Sequence, residues 1–347
     1  MWPTDFKETF LDRLLHFVWG QWVALGVPGT EPAETRWVVD PEPLLVFSLE
    51  VARYDPRLFD EILAWLMVNG ERLDTARLRS LIRDHDESFG RVLGGTLQFA
   101  LSRMDRRKWG SLAGLATSLY KKQPTAAFTE PLFKEKSGKS YPLVLESQPD
   151  PDFIIFFINR SKVELAKQAQ EVPVNSGVNL RFLLRSLFGI GGRSECLAYL
   201  LTHEEGRPRE IAESAGLFWL GIQQTLVDMA DSGLVSVRRK GRGLEYWVPQ
   251  KRWWDFLKGA DDSDIARPHS LNAMVIFPAL SEFWRGIEAA SASEESDYLK
   301  ASKAREGLER LHAKLTRAGL DAPAPPSGLL PEEVLVRSAN QVLDMLL

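Results

Sequence analysis

Four cations fall within five positions, at Arg238, Arg239, Lys240 and Arg242, with glycines at 241 and 243 among them. Guanidinium and ammonium groups clustered on a tight glycine turn suit contact with phosphates or insertion into a narrow minor groove. A second cationic pair, Arg207 and Arg209, flanks Pro208, where the positive end of a helix dipole would add to a phosphate clamp. Ordinary surface charge accounts for that pair equally well. Gln223 and Gln224 carry amides able to bond the N6/N7 edge of adenine through both groups. Beside them Trp219, Leu220 and Val227 offer apolar contact to a thymine methyl. A neutral helix surface is the other reading of the two glutamines.

Other chemistries find little footing. No nucleophile stands with a base, and no carboxylate pair sits in a recognisable catalytic frame, so a non-enzymatic protein is expected. The five histidines are scattered at 16, 85, 203, 269 and 312, without metal-ligand spacing. The single cysteine, Cys196, permits no internal disulfide and no cysteine-rich zinc or iron–sulfur site, and reads as a small core residue. Neither a metal nor a cofactor is expected. Gly138-Lys139-Ser140 ends like a phosphate-binding loop, but Phe133 stands where that pattern needs glycine.

The elements that must position the cations and glutamines can be read from residues 178–252. A helix over 194–202 places Leu197, Leu200 and Leu201 on one face and breaks at His203–Gly206. Pro208 opens a short second helix with Ile211 and Ala212 inward, and Ala215-Gly216 supplies the small, permissive turn that close helix packing requires. A third helix over about 218–231 turns Ile222, Leu226, Met229 and Ala230 to a core and ends at Ser232-Gly233. Strands at 234–240 and 244–248 then form a hairpin around the basic glycine tip.

In this order of elements, residues about 178–250 resemble the winged helix-turn-helix superfamily, nearest to the ArsR- and MarR-like bacterial transcriptional regulators. The stretches 209–216, 226–235 and 238–242 carry the resemblance. It implies a domain that binds double-stranded DNA, with 218–231 as the recognition helix and 238–242 as the wing. Trp219, Gln223 and Gln224 become the base readers, and Arg207, Arg209, Arg238, Arg239, Lys240 and Arg242 the backbone contacts. A homodimer matching a two-fold site is also implied. Phe218-Trp219-Leu220 departs from the family, which usually carries small polar or basic residues there. That apolar triplet favours the alternative, a protein-interaction or antitoxin-like component of a bacterial defence or toxin–antitoxin operon with a degenerate winged helix.

The rest of the 347-residue chain reads as helical. Phe6, Phe10, Leu14, Phe17 and Val18 recur at helical spacing, and Asp40-Pro41 and Asp55-Pro56 each place a capping residue before a first-turn proline. The expected fold is mainly α with a small β-hairpin wing. It comprises a helical N-terminal domain (1–120), a linker or irregular arm (121–177), the DNA-binding module (178–252) and a helical C-terminal domain (253–347). Within the arm a short strand is expected at 141–145. The apolar helix at 179–188 either forms a dimer seam or packs on the N-terminal domain. Five tryptophans, Trp19, Trp22, Trp37, Trp65 and Trp109, form the N-terminal core or line a pocket there.

The formal net charge is −4, yet 178–252 carries 11 Lys and Arg against 8 Asp and Glu and is the only clearly basic segment. No apolar run approaches a membrane span and no leader pattern opens the chain, so a cytoplasmic location is expected.

Overall fold

The computed structural model describes residues 5–29, 35–83, 85–121, 129–137, 148–165, 169–241, 243–257, 268–322 and 331–347. The protein is mainly helical, with a small antiparallel two-stranded sheet. Among the described residues no helix is long and apolar enough to cross a membrane.

The first half builds a helical body. Helix α1 spans Phe6–Ala24 and buries Phe10, Leu14, Phe17, Val18 and Trp22. Helix α2 (Pro41–Val51) is buried on every side and forms the axis of this body. Helices α3 (Pro56–Asn69), α4 (Thr75–Ile82), α5 (Glu87–Arg103) and α6 (Arg106–Tyr120) surround it. Asp55 caps α3 as expected, accepting the Leu58 N–H at 3.1 Å. Asp40 does not cap α2; its carboxylate is turned instead toward buried arginines. Strand β1 (Glu130–Pro131) pairs in parallel with β2 (Ile158–Asn159), and the short helix α7 (Pro151–Ile154) packs on α5. Gly95 is required at that contact, because a Cβ there would stand 2.5 Å from Cδ1 of Phe153. The strand expected at 141–145 lies outside the described residues.

Helices α8 (Leu180–Phe188), α9 (Gly192–Thr202), α10 (Pro208–Ala215) and α11 (Trp219–Asp231) follow. Then come strands β3 (Ser236–Lys240) and β4 (Gly243–Trp247) and helix α12 (Gln250–Leu257). These share a second core of Leu184, Leu197, Leu200, Ile211, Ile222, Leu226, Met229, Tyr246 and Trp254, so this core extends past residue 252. Cys196 lies in it, and burial pushes its thiol up to about 12, which suits packing rather than redox chemistry.

Helices α13 (Ala273–Ala292), α14 (Asp297–Arg317) and α15 (Pro331–Leu346) return to the first body. Phe277 of α13 stacks on Phe47 of α2 with centroids 5.2 Å apart. The N- and C-terminal helices thus share one continuous core. The five tryptophans are buried in it, and Trp19, Trp22, Trp37 and Trp65 each satisfy the indole N–H with a protein acceptor. They are core residues.

Candidate nucleic-acid interface

Each part of the interface is held by a local reason. Pro208 starts α10 with its φ already suited to a first turn, and Glu210 accepts the Arg207 backbone N–H at 2.9 Å. Gly216 ends α10 in the left-handed region, φ +64°, so that α11 can set off at once. Val235, Tyr246 and Val248 anchor the hairpin to the core beneath. The loop before α10 joins the hairpin edge, because Gly206 and Tyr246 exchange both backbone hydrogen bonds, at 2.9 and 3.0 Å. A third, one-residue strand therefore ties the α9–α10 connection to the two-stranded ribbon.

Arg238, Arg239 and Lys240 are exposed, but three of the candidate cations share two carboxylates. In the β3–β4 register Arg238 stands opposite Glu245, and Lys240 projects on the same side two residues on. Lys240 Nζ lies 3.0 Å from Glu205 and 3.2 Å from Glu245. Arg238 also pairs with Glu205, while Arg207 reaches Glu245 at 3.1 Å. The hydrogen bonds that Lys240 donates to Glu205 and Glu245 raise its pKa above the usual lysine value. Burial works against ionisation of Glu245, but the Lys240 and Arg207 hydrogen bonds overcome it and hold that carboxyl below its usual range. Arg239 makes no ion pair among the described residues and points to the other side of the ribbon. Arg242 lies outside the described residues.

On α11, Ile222, Leu226 and Met229 are buried, whereas Leu220 and Gln224 are exposed and Gln223 is half-buried. The Gln224 amide donates to Asp228 at 2.8 Å, which ties one of its two groups to the helix's own surface. The apolar triplet is not packed away. Phe218 is 70% exposed, Leu220 49% and Trp219 38%. The Arg209 guanidinium lies 5.4 Å over the Trp219 ring.

Sequence reasoning missed two features. Glu205 was legible only as part of a helix-breaking loop, and Glu245 only as a strand residue; the hairpin register was the signal that would have paired Glu245 with Arg238. The second is a wholly buried ionic cluster where the two cores meet. Arg77 of α4 and Arg181 and Arg185 of α8 face Asp40, Glu42 and Glu195. Arg185 reaches Glu42 at 2.7 Å and Glu195 at 2.7 Å, and Arg77 reaches Asp40 at 2.6 Å. Three cations and three carboxylates neutralise one another inside the protein. Burial alone would raise the Glu42 carboxyl, but Arg185 and Arg77 hold it down at about 2. Burial pulls Arg181 down to about 10. The apolar helix at 180–188 therefore packs on the first body through its arginines, the second of its two expected roles.

Among the described residues no group of three or more His, Cys, Asp or Glu side chains is placed to hold a metal ion. No protein-family model matches the chain, nor does any curated protein or solved structure compared with it.

Proposed function

We propose that residues 178–252 are a winged helix-turn-helix and that the protein regulates transcription by binding double-stranded DNA through α11 and the β3–β4 hairpin. The observation that carries this reading is the joining of Gly206 to Tyr246, which sets a three-helix unit and a basic ribbon side by side as one surface. In it α11 enters the major groove, Gln223 and Gln224 read base edges, and Arg238, Arg239, Lys240 and Arg242 follow the phosphates. Arg207 and Arg209 add contacts at the start of α10. A second copy would place a second α11 on the adjacent half-site, and the groove lined by Phe188, Leu234 and Phe256, the last two exposed, is the apolar face it would use.

Selection of bound duplexes from a random-sequence pool tests this reading. A consensus should emerge with the wild-type chain and degrade when Gln223 and Gln224 are both changed to Ala. Recovery of no consensus, with wild-type and variant retaining the pool equally, would count against base readout by α11.

A second reading rests on the exposure of Phe218 and Leu220. In that reading the start of α11 is a docking surface for a protein, as in an antitoxin-like component of a bacterial defence or toxin–antitoxin operon, with Trp219 as an anchor. Capture of a partner that is lost on Phe218→Ser and Leu220→Ser, with duplex binding unaltered, would favour it.

A further inference from the structure

Between the start of α11 and the larger body lies a cleft of about 830 Å³. Val46 and Phe47 of α2, Leu217 and Trp219 at the start of α11, and Met274 and Phe277 of α13 form much of its wall. Small-molecule sites typically measure roughly 300–1,000 Å³ and combine apolar walls with a few polar groups. The polar groups here are unequal. Arg285 is already matched, lying 3.3 Å from Glu50 and 3.1 Å from Asp86. Arg209 has no carboxylate partner among the described residues; it lies over the Trp219 ring, and Glu213, which shares the lining, makes no ion pair with it. The α10–α11 turn also lies against α13: a Cβ on Gly216 would stand 2.2 Å from Cε of Met274.

We infer that this cleft binds an amphipathic small molecule bearing one anionic group, with its apolar body against Phe47, Leu217 and Met274 and its anion on Arg209. The apolar wall sets the body of the ligand, and the Arg209 guanidinium sets its charge. Arg209 is also one of the residues proposed to meet DNA phosphate, so ligand and duplex compete for the same guanidinium. That competition rests on the DNA-binding reading; ligand binding itself does not.

The fluorescent anion anilinonaphthalene sulfonate, titrated into the full chain, reads the site. Its binding should saturate at one site per chain, and decanoate should displace it where decylamine does not. Val275→Trp, which fills the cleft from a half-buried position, should abolish binding while circular dichroism and the melting transition stay those of the wild type. Arg209→Gln should weaken decanoate roughly tenfold, as loss of a charge-assisted hydrogen bond does, and leave decanol displacement unchanged. Equal displacement by decylamine and decanoate, or undiminished probe binding in folded Val275→Trp, overturns the proposal. So does probe affinity that falls as protein concentration rises, since a second copy would then be filling the cleft. Adding a duplex that the chain binds should raise the apparent Kd for decanoate. A bound duplex without that effect overturns the competition, whereas failure of every duplex to bind counts against the DNA reading and leaves the decanoate result to decide the site.

Discussion

The Arg77 guanidinium of α4 donates through Nε to the backbone carbonyl of Ala215, the last residue of α10, across 2.6 Å. Its other nitrogens bond Asp40 and Glu42 at the start of α2. One side chain therefore joins the axis of the larger body to the turn from which α11 departs. The orientation of α11 is set by a buried charge cluster as well as by apolar packing.

Removing one member of a buried ionic set strands its partners without water. Arg77→Met should lower unfolding stability by about 3–5 kcal/mol, measured by urea denaturation. A loss below about 1 kcal/mol would mean that Asp40 and Glu42 are not held as buried ions by Arg77.

Acid should dissolve the same cluster. Burial opposes ionisation of Glu42, but its arginines depress the folded pKa to about 2, against 4.5 for an unperturbed glutamate. Its stabilisation is therefore fully present above about pH 4.5 and is lost as pH falls through about 2. Glu42→Gln should lower stability at neutral pH and flatten the decline across that window. An unaltered decline in the variant would assign the acid sensitivity to other groups.

Glu50 carries the opposite sign. Burial raises its carboxyl to about 7 despite Arg285 nearby. The protonated form is favoured by folding, so stability contributed below about pH 4.5 is lost as pH rises to about 7. Glu50→Gln should stabilise the protein at pH 8 by on the order of 1–3 kcal/mol and remove the pH dependence between those values. Thermal melts at several pH values check this, and a variant that melts below the wild type at pH 8 would contradict it.

Glu205 pairs with Arg238 and Lys240, and in the proposed complex it would compete with DNA phosphate for them. Glu205→Gln should tighten duplex binding several-fold and steepen the dependence of log K on log salt by roughly 1–2, as one or two further cations meet phosphate. An unchanged slope would mean that these cations never leave their carboxylates.

Local chemistry made much of the second core legible in sequence. Pro208, Gly216 and the spacing of Ile222, Leu226 and Met229 dictate α10, the turn and α11 within a residue or so, and the hairpin follows from alternation around its glycines. Long-range pairing was hidden. Asp40 precedes a proline in the same way as Asp55, and nothing local says that one caps a helix while the other meets Arg77, 37 positions away. The common core of α1–α6 with α13–α15 was equally invisible, because periodicity shows which face is apolar and not what covers it. The paired cations lay between these cases, readable only after the strand register placed Glu245 across from Arg238.

The most direct test is duplex affinity measured by fluorescence anisotropy across a salt series. The wild-type chain is set beside one with Arg238, Arg239, Lys240 and Arg242 all changed to Ala. Wild-type binding should be well tighter than the roughly 10⁻⁴–10⁻⁶ M of non-specific contact and should weaken steeply with salt. The variant, folded by circular dichroism, should lose most of that affinity and of the salt slope. Wild-type affinity no better than non-specific, or a variant that binds with the same slope, would contradict DNA recognition by this surface.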